Sequence, residues 1–252
     1  MLKEILLYNG KVKIFFDLGT PEKPKHIYKD EKGNVILSVT GATGIIDKSA
    51  ALMGWVAKMM GLYLIDKFES GVIINRGTIE TAKKEYRRIA GEAADIGTEI
   101  HEWVSDWILG KKPEMPENEK VVNGITAFLK FQKQHKFKWL ESERLVYSKK
   151  HNYAGTLDAI AKEGNNLVLV DFKSSKAIYD DMRFQVAGYQ IAYEEETGKK
   201  IDKRMIIRFG KEDGEFEVRE LNEDAADKKV FLSCLNVKKR VKELLKKNGY
   251  RN

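Results

Sequence analysis

The chain has 252 residues, 42% of them hydrophobic and 33% charged, with a formal net charge of +7. That length supports one elaborated domain or two small ones around a sizeable core, and the composition predicts a soluble globular protein. No apolar run approaches the roughly 20 residues of a membrane span, and Met1–Leu7 is too short and too soon interrupted by polar residues to serve as a signal peptide, so a cytosolic location is expected.

Cys234 is the single cysteine. One thiol excludes an intrachain disulfide, a four-cysteine zinc site and a four-cysteine iron–sulfur cluster, so any metal must be held by oxygen and imidazole. The charge is unevenly placed. From Lys228 to the C-terminus there are nine Lys or Arg residues against one acid, Glu243, a surplus of +8 that exceeds the net charge of the whole chain and leaves the other residues at about −1. Such a segment fits a polyanion partner or the solvated face of a terminal helix.

Taken in chain order, Lys11–Phe16 reads as a strand, and Ile27–Lys29 with Val35–Val39 as a hairpin around Asp30–Asn34. Pro21 and Pro24 fall in the connection. Thr40–Gly44 reads as a loop, without a Walker lysine at phosphate-binding spacing, before a helix over Lys48–Phe68 with a possible cap at Asp47. Thr78–Ala94 predicts a charged helix, and Gly97-Thr98 starts or bends a second helical stretch, Glu99–Leu109. Helical spacing groups His101 with Val104, Ser105 and Ile108, and Trp103 with Trp107 as a packing pair. After the loop Lys111–Asn118 come a helix over Glu119–Gln134 and a strand over Lys138–Lys149, with Glu143, Leu145 and Tyr147 on one face. Asp180–Thr197 is a helix ended by Gly198 that sets Gln185 and Tyr189 one turn apart; Lys203–Phe209 and Phe216–Leu221 make a further hairpin, and the basic helix closes the chain. The order over the last 150 or so residues predicts an α/β fold, a small mixed sheet flanked by helices.

The chemistry concentrates in one hairpin, Ala154–Asp158 and Val170–Lys173, turned at Gly164-Asn165. A register pairing Glu163 with Asn166 sets Asp158 opposite Asp171 and Thr156 opposite Lys173, all on one face. Two opposed carboxylates destabilise a sheet unless something compensates them. A divalent cation is one compensation; an Asp–Lys ion pair on a solvated sheet edge is the other reading.

Four motifs in order, Gly97-Thr98-Glu99-Ile100-His101, Gly155-Thr156-Leu157-Asp158, Asp171-Phe172-Lys173 and Gln185-x-x-x-Tyr189, resemble the PD-(D/E)XK nuclease superfamily. The pattern is similar to its RecB-like branch, and within that to phage and mitochondrial genome-maintenance exonucleases. The match covers under half the chain. The resemblance implies a restriction-endonuclease-like core over residues 96–252 that includes the basic C-terminal helix, preceded by an N-terminal hairpin and helical elaboration over 1–95. It implies metal ligation by His101, Asp158, Asp171 and the Phe172 carbonyl, with Lys173 as the active-site lysine and Gln185 and Tyr189 supporting the site and DNA. Glu143 stands where related sequences often carry an acid, and a surface charge reads equally well. The iron–sulfur-bearing CRISPR-associated relatives need four cysteines, so no cluster is expected here.

The implied activity is a Mg²⁺- or Mn²⁺-dependent DNA exonuclease on single strands or ends, in replication, recombination or repair, within a bacterial, archaeal or phage-infected cell. One imidazole among oxygen ligands favours Mn²⁺ somewhat. Replication or recombination proteins are possible partners, and Trp55 or Tyr63 could stack on unpaired bases, with packing against neighbouring residues the other and more usual fate of such aromatics. A structure-specific endonuclease on the same site and a non-catalytic nucleic-acid-binding module are the alternatives.

Overall fold

The computed structural model describes residues 2–20 and 23–248; Pro21 and Arg251, which the sequence puts in a connection and in the basic tail, lie outside them. Among the described residues the chain divides into two compact units, one made of residues up to 46 together with those from 101 onward, the other of residues 47–100. The first 46 residues therefore share a unit with the C-terminal part of the chain.

In the first unit, β1 (Leu2–Leu7), β2 (Val12–Thr20), β3 (Lys23–Lys29) and β4 (Val35–Ser38) form an antiparallel run. Left-handed backbone at Tyr8, Asn9 and Gly10 turns β1 into β2, and the Asp30 carboxylate accepts the Lys32 and Asn34 amides to turn β3 into β4. β1 was not anticipated, and Pro24 falls inside β3 rather than in a connection. The loop expected at Thr40–Gly44 begins as a short helix, α1 (Val39–Thr43), capped by the Ser38 hydroxyl.

β5 (Lys138–Ser148), β6 (Tyr153–Glu163), β7 (Asn166–Lys173), β8 (Lys203–Phe209) and β9 (Phe216–Glu220) complete a nine-stranded mixed sheet of order β1-β2-β3-β4-β6-β7-β8-β9, with β5 along the remaining edge of β6. The helices flanking it are α5 (Glu119–Gln134), α6 (Met182–Thr197) and α7 (Asp224–Lys247). The expected mixed α/β architecture is observed. Alternate residues of the central strands enter opposite cores. Leu169 and Ile206 pack with α6 and α7 residues such as Tyr193 and Phe231. Phe172 and Phe209 meet Phe128 of α5, which also contacts the rings of Trp103 and Trp107. The Trp pair is thus a packing pair, as its spacing implies. A third cluster, including Phe16, Tyr28, Ile36 and Leu145, fills the curl of β1 to β4.

The second unit contains α2 (Ser49–Glu69), α3 (Arg76–Ala82) and most of α4 (Glu85–Ile108). Asp47 accepts the Ser49 amide at 2.8 Å ahead of α2, and an Asn75–Thr78 capping box starts α3. The helix break falls at Lys83–Lys84 and not at Gly97, which lies inside a continuous α4. An interior glycine costs only about 1 kcal/mol relative to alanine, too little to end a helix supported on both sides. Trp55 lies edge-on to Tyr86 at 6.2 Å, and Lys67 sits over the Tyr63 ring.

Candidate metal centre

The β6–β7 ladder has the expected register, from Glu163↔Asn166 to Ala159↔Val170, and stops there. β4 takes over the same edge of β6 at Tyr153 and Ala154. Between these partners, Gly155–Asp158 leave a gap in the sheet, and the chemistry-bearing residues border it. Asp158 and Asp171 are consequently neighbours across a parting of two strands and not a ladder pair. In place of ladder bonds, the Asp158 carboxylate reaches across and accepts the Phe172 amide at 2.6 Å.

Asp171 is 1% exposed, on a strand paired on its other side to β8, and its carboxylate touches the Lys173 ammonium. This is no solvated surface pair. One Asp171 oxygen meets that ammonium, and the other has no hydrogen-bond partner among the described residues, a costly state for a buried carboxylate. Removal from water raises its pKa to about 6, with Asp158 adding to the rise and Lys173 opposing it. Asp158 is raised for the same first reason. Burial works against the Lys173 charge, but Asp171 and Asp158 outweigh it and hold the ammonium above the usual lysine range.

His101, on α4, offers its Nδ1 3.8 Å from the Asp158 carboxylate. Desolvation and the nearby Lys173 lower its pKa to about 4, so at neutral pH the imidazole is neutral and this contact is not an ion pair. A neutral imidazole keeps the lone pair that a metal needs. Its ring packs edge-on to Phe172 at 6.1 Å.

Glu143 joins them. Donor atoms of His101, Glu143 and Asp158 all lie within 4.8 Å of one another. Glu143 sits in β5 with φ of +48°, between ladder pairs Ser142↔Ala159 and Arg144↔Leu157. A non-glycine residue in this region is strained by roughly 1–3 kcal/mol. Its flank is exposed, while the protein packed around its carboxyl, then Asp158 and Glu102, push its pKa up to about 8. No periodicity announces a left-handed glutamate in a strand, and that is why the sequence left Glu143 between a site residue and a surface charge. Glu102, beside His101 on α4, carried no signal at all.

Oxygen and imidazole donors, a buried carboxylate with one oxygen unpartnered and crowded negative charge suit a hard divalent cation. The donor set fits such an ion.

Gln185 and Tyr189 of α6 are bonded to each other, amide to hydroxyl, at 2.9 Å. Tyr189 is buried, and its pKa is driven well above the tyrosine range by desolvation and by Asp171 and Asp158. Its ring lies against Gly155, where a Cβ would stand 2.6 Å from the Tyr189 ring and 2.9 Å from Val39. Thr156 shares a 3.0 Å hydrogen bond with the Tyr28 hydroxyl.

No protein-family model matches the chain, and neither does any curated protein. Among solved structures, it is similar to the alkaline exonuclease LHK-Exo from Laribacter hongkongensis, with 13% identity over 85% of this chain and 93% of that one and a TM-score of 0.42. LHK-Exo in complex with dAMP aligns over the same shares at 11% identity and a TM-score of 0.41. The structure of SSO0001 covers 47% of this chain and 57% of its own at 14% identity and a TM-score of 0.32. Likenesses of this degree carry no residue role to this chain.

Proposed function

We propose that the protein is a divalent-metal-dependent deoxyribonuclease that releases nucleotides from single-stranded DNA or DNA ends, in the setting of replication, recombination or repair. One observation carries the reading: a buried Asp171 carboxylate with one oxygen on Lys173 and the other unpartnered, beside a converging His101–Glu143–Asp158 donor group, in a gap of the sheet.

Asp158, Asp171 and His101 would hold the ion, Mg²⁺ or Mn²⁺, with the Phe172 carbonyl as main-chain ligand and Glu143 as a further carboxylate. A bound divalent ion supplies Lewis-acid polarisation of a phosphoryl oxygen and a lowered pKa for water. The Phe172 amide fixes the Asp158 carboxylate, so its orientation is set before substrate arrives. Lys173 presents a positive hydrogen-bond donor to the attacking water and to the charge that grows on the phosphate. Gln185 holds the Tyr189 hydroxyl, and the Tyr189 ring supports Gly155 and so the strand bearing Asp158.

The test is release of nucleotides from 5′- and 3′-labelled single-stranded DNA with Mn²⁺, Mg²⁺ or EDTA, for wild type and Lys173→Ala. Metal-dependent release that falls at least about a hundredfold in the variant is expected, the scale of losing one transition-state donor. No release with any metal, DNA binding being intact, would sink the nuclease and leave a binding module; cleavage of sealed circles would make it an endonuclease.

A further inference from the structure

A cavity of about 650 Å³ opens beside the candidate metal centre, enclosed by β1, the middle of β2, β5, β6 and the end of α6. Its walls divide by chemistry. Ile5, Phe16 and Leu18 make an apolar side, Glu143 and Thr156 a polar one, and the exposed Lys3 stands at β1. The polar side is continuous with the metal centre, because Glu143 is one of the three converging donors. The apolar side is tied to the same place. Phe16 stacks on Tyr28 with ring centroids 4.9 Å apart and planes 9° apart, and the Tyr28 hydroxyl meets Thr156, two residues from Asp158. Glu196 also borders the cavity; its side chain is only 6% exposed, one oxygen pairs with Arg144 at 2.8 Å, and the other has no hydrogen-bond partner.

The volume falls within the roughly 300–1,000 Å³ of small-molecule sites. A purely hydrocarbon ligand would leave Glu143, Thr156 and Glu196 against apolar atoms, which is unfavourable. An occupant that suits both sides has a flat apolar body, a polar edge and an anionic group able to reach the metal centre and Lys3. An unpaired nucleoside flanking a phosphodiester has all three; a base inside a duplex has its face and edge already occupied.

We propose that this cavity receives the unpaired nucleoside next to the phosphate presented to the metal centre, so that the protein selects strands whose end is single-stranded. The phosphate part of this assignment rests on the nuclease reading above; the base pocket rests on the cavity itself.

The experiment is calorimetric titration of the full chain with deoxyadenosine and with adenosine in EDTA, probes of the base pocket that set no phosphate against the metal-free carboxylates. Wild type, Ile5→Trp and Leu18→Trp would be compared, the two variants filling the cavity from different strands and each checked for native circular dichroism. Binding by wild type that weakens at least about tenfold, or about 1.4 kcal/mol, in either folded variant is expected. The stronger of the two ligands tells a deoxyribose from a ribose site. In parallel, wild type would be given strands with a normal or an abasic terminal residue; slower release from the abasic end, with the difference abolished by filling the cavity, is the matching result. Nucleoside binding that is absent, or unchanged in both variants, overturns the pocket even if metal-dependent cleavage is robust. Binding lost in the variants while no strand is ever cleaved upholds the pocket and overturns the nuclease reading instead.

Discussion

At the scale of single residues, the site holds Asp158 and Asp171 out of water with Glu143 raised beside them, and the cost should be visible in the metal-free protein. Desolvation by the protein packed around its carboxyl, with Asp158 and Glu102 adding to it, pushes Glu143 up to about 8 in the folded chain, against about 4.3 when unfolded. Between those values the folded state binds more protons than the unfolded state, so this group's stabilising share is complete at low pH and is lost as pH rises towards 8. His101 runs the other way. Lowered to about 4 from 6.5, it favours the folded state increasingly as pH climbs to 6.5 and contributes no further slope above it. Thermal melts in EDTA should therefore fall between about pH 6.5 and pH 8, and Glu143→Gln should flatten that decline. A melting temperature that is level across this window in wild type would show that Glu143 is not desolvated.

Elements set where those residues stand. Gly155 lets β6 lie close against α6, and a methyl group there overlaps both the Tyr189 ring and Val39. Gly155→Ala should cost about 1–3 kcal/mol, the usual range for overpacking, and lower activity too, because the displaced strand carries Asp158; denaturant midpoints and turnover measured on one preparation check both. β8, α6 and α7 are clamped elsewhere by a buried cluster. Arg204 and Asp227 are 2% and 4% exposed at the side chain and 2.9 Å apart, and Arg183 pairs with the other Asp227 oxygen at 2.7 Å. Asp227→Ala leaves two guanidinium groups without their shared anion and should cost about 3–5 kcal/mol, well beyond the effect of breaking an exposed pair such as Lys83–Glu80. Urea denaturation distinguishes the two.

For the molecule as a whole, ion binding and folding are linked. An ion that binds only the folded chain stabilises it by about 2.7 kcal/mol at a hundred times its dissociation constant. Melting temperature should rise with Mn²⁺ in wild type, stay at the EDTA value in Asp171→Asn, and return to that value when chelator is added. A rise of equal size in the variant would place the ion elsewhere. The second unit has a different character. α2 has no buried residue, and Leu52, Met53, Ile65 and Phe68 are all exposed, so the apolar pattern along that helix does not mark a core within the unit.

Local signals in the chain were sufficient for the helices over Glu119–Gln134 and Asp180–Thr197, the hairpin register around Gly164-Asn165, and the grouping of Asp171 with Lys173. Each depends on period, turn chemistry or alternation between near neighbours, which a linear pattern records. What it could not record was decided by contacts distant along the chain. The first four strands extend the same sheet as the carboxylates because β4 pairs with β6 across more than a hundred residues. The ladder between β6 and β7 ends before Asp158 reaches Asp171, because β4 occupies that edge farther along. Glu143 enters the donor group through a left-handed backbone that only the surrounding packing can impose. Residue types and short-range register were therefore determined by the sequence alone. The gap, the third donor and the adjoining cavity exist only where strands far apart in sequence meet, since their positions depend on pairings whose energy no local window contains.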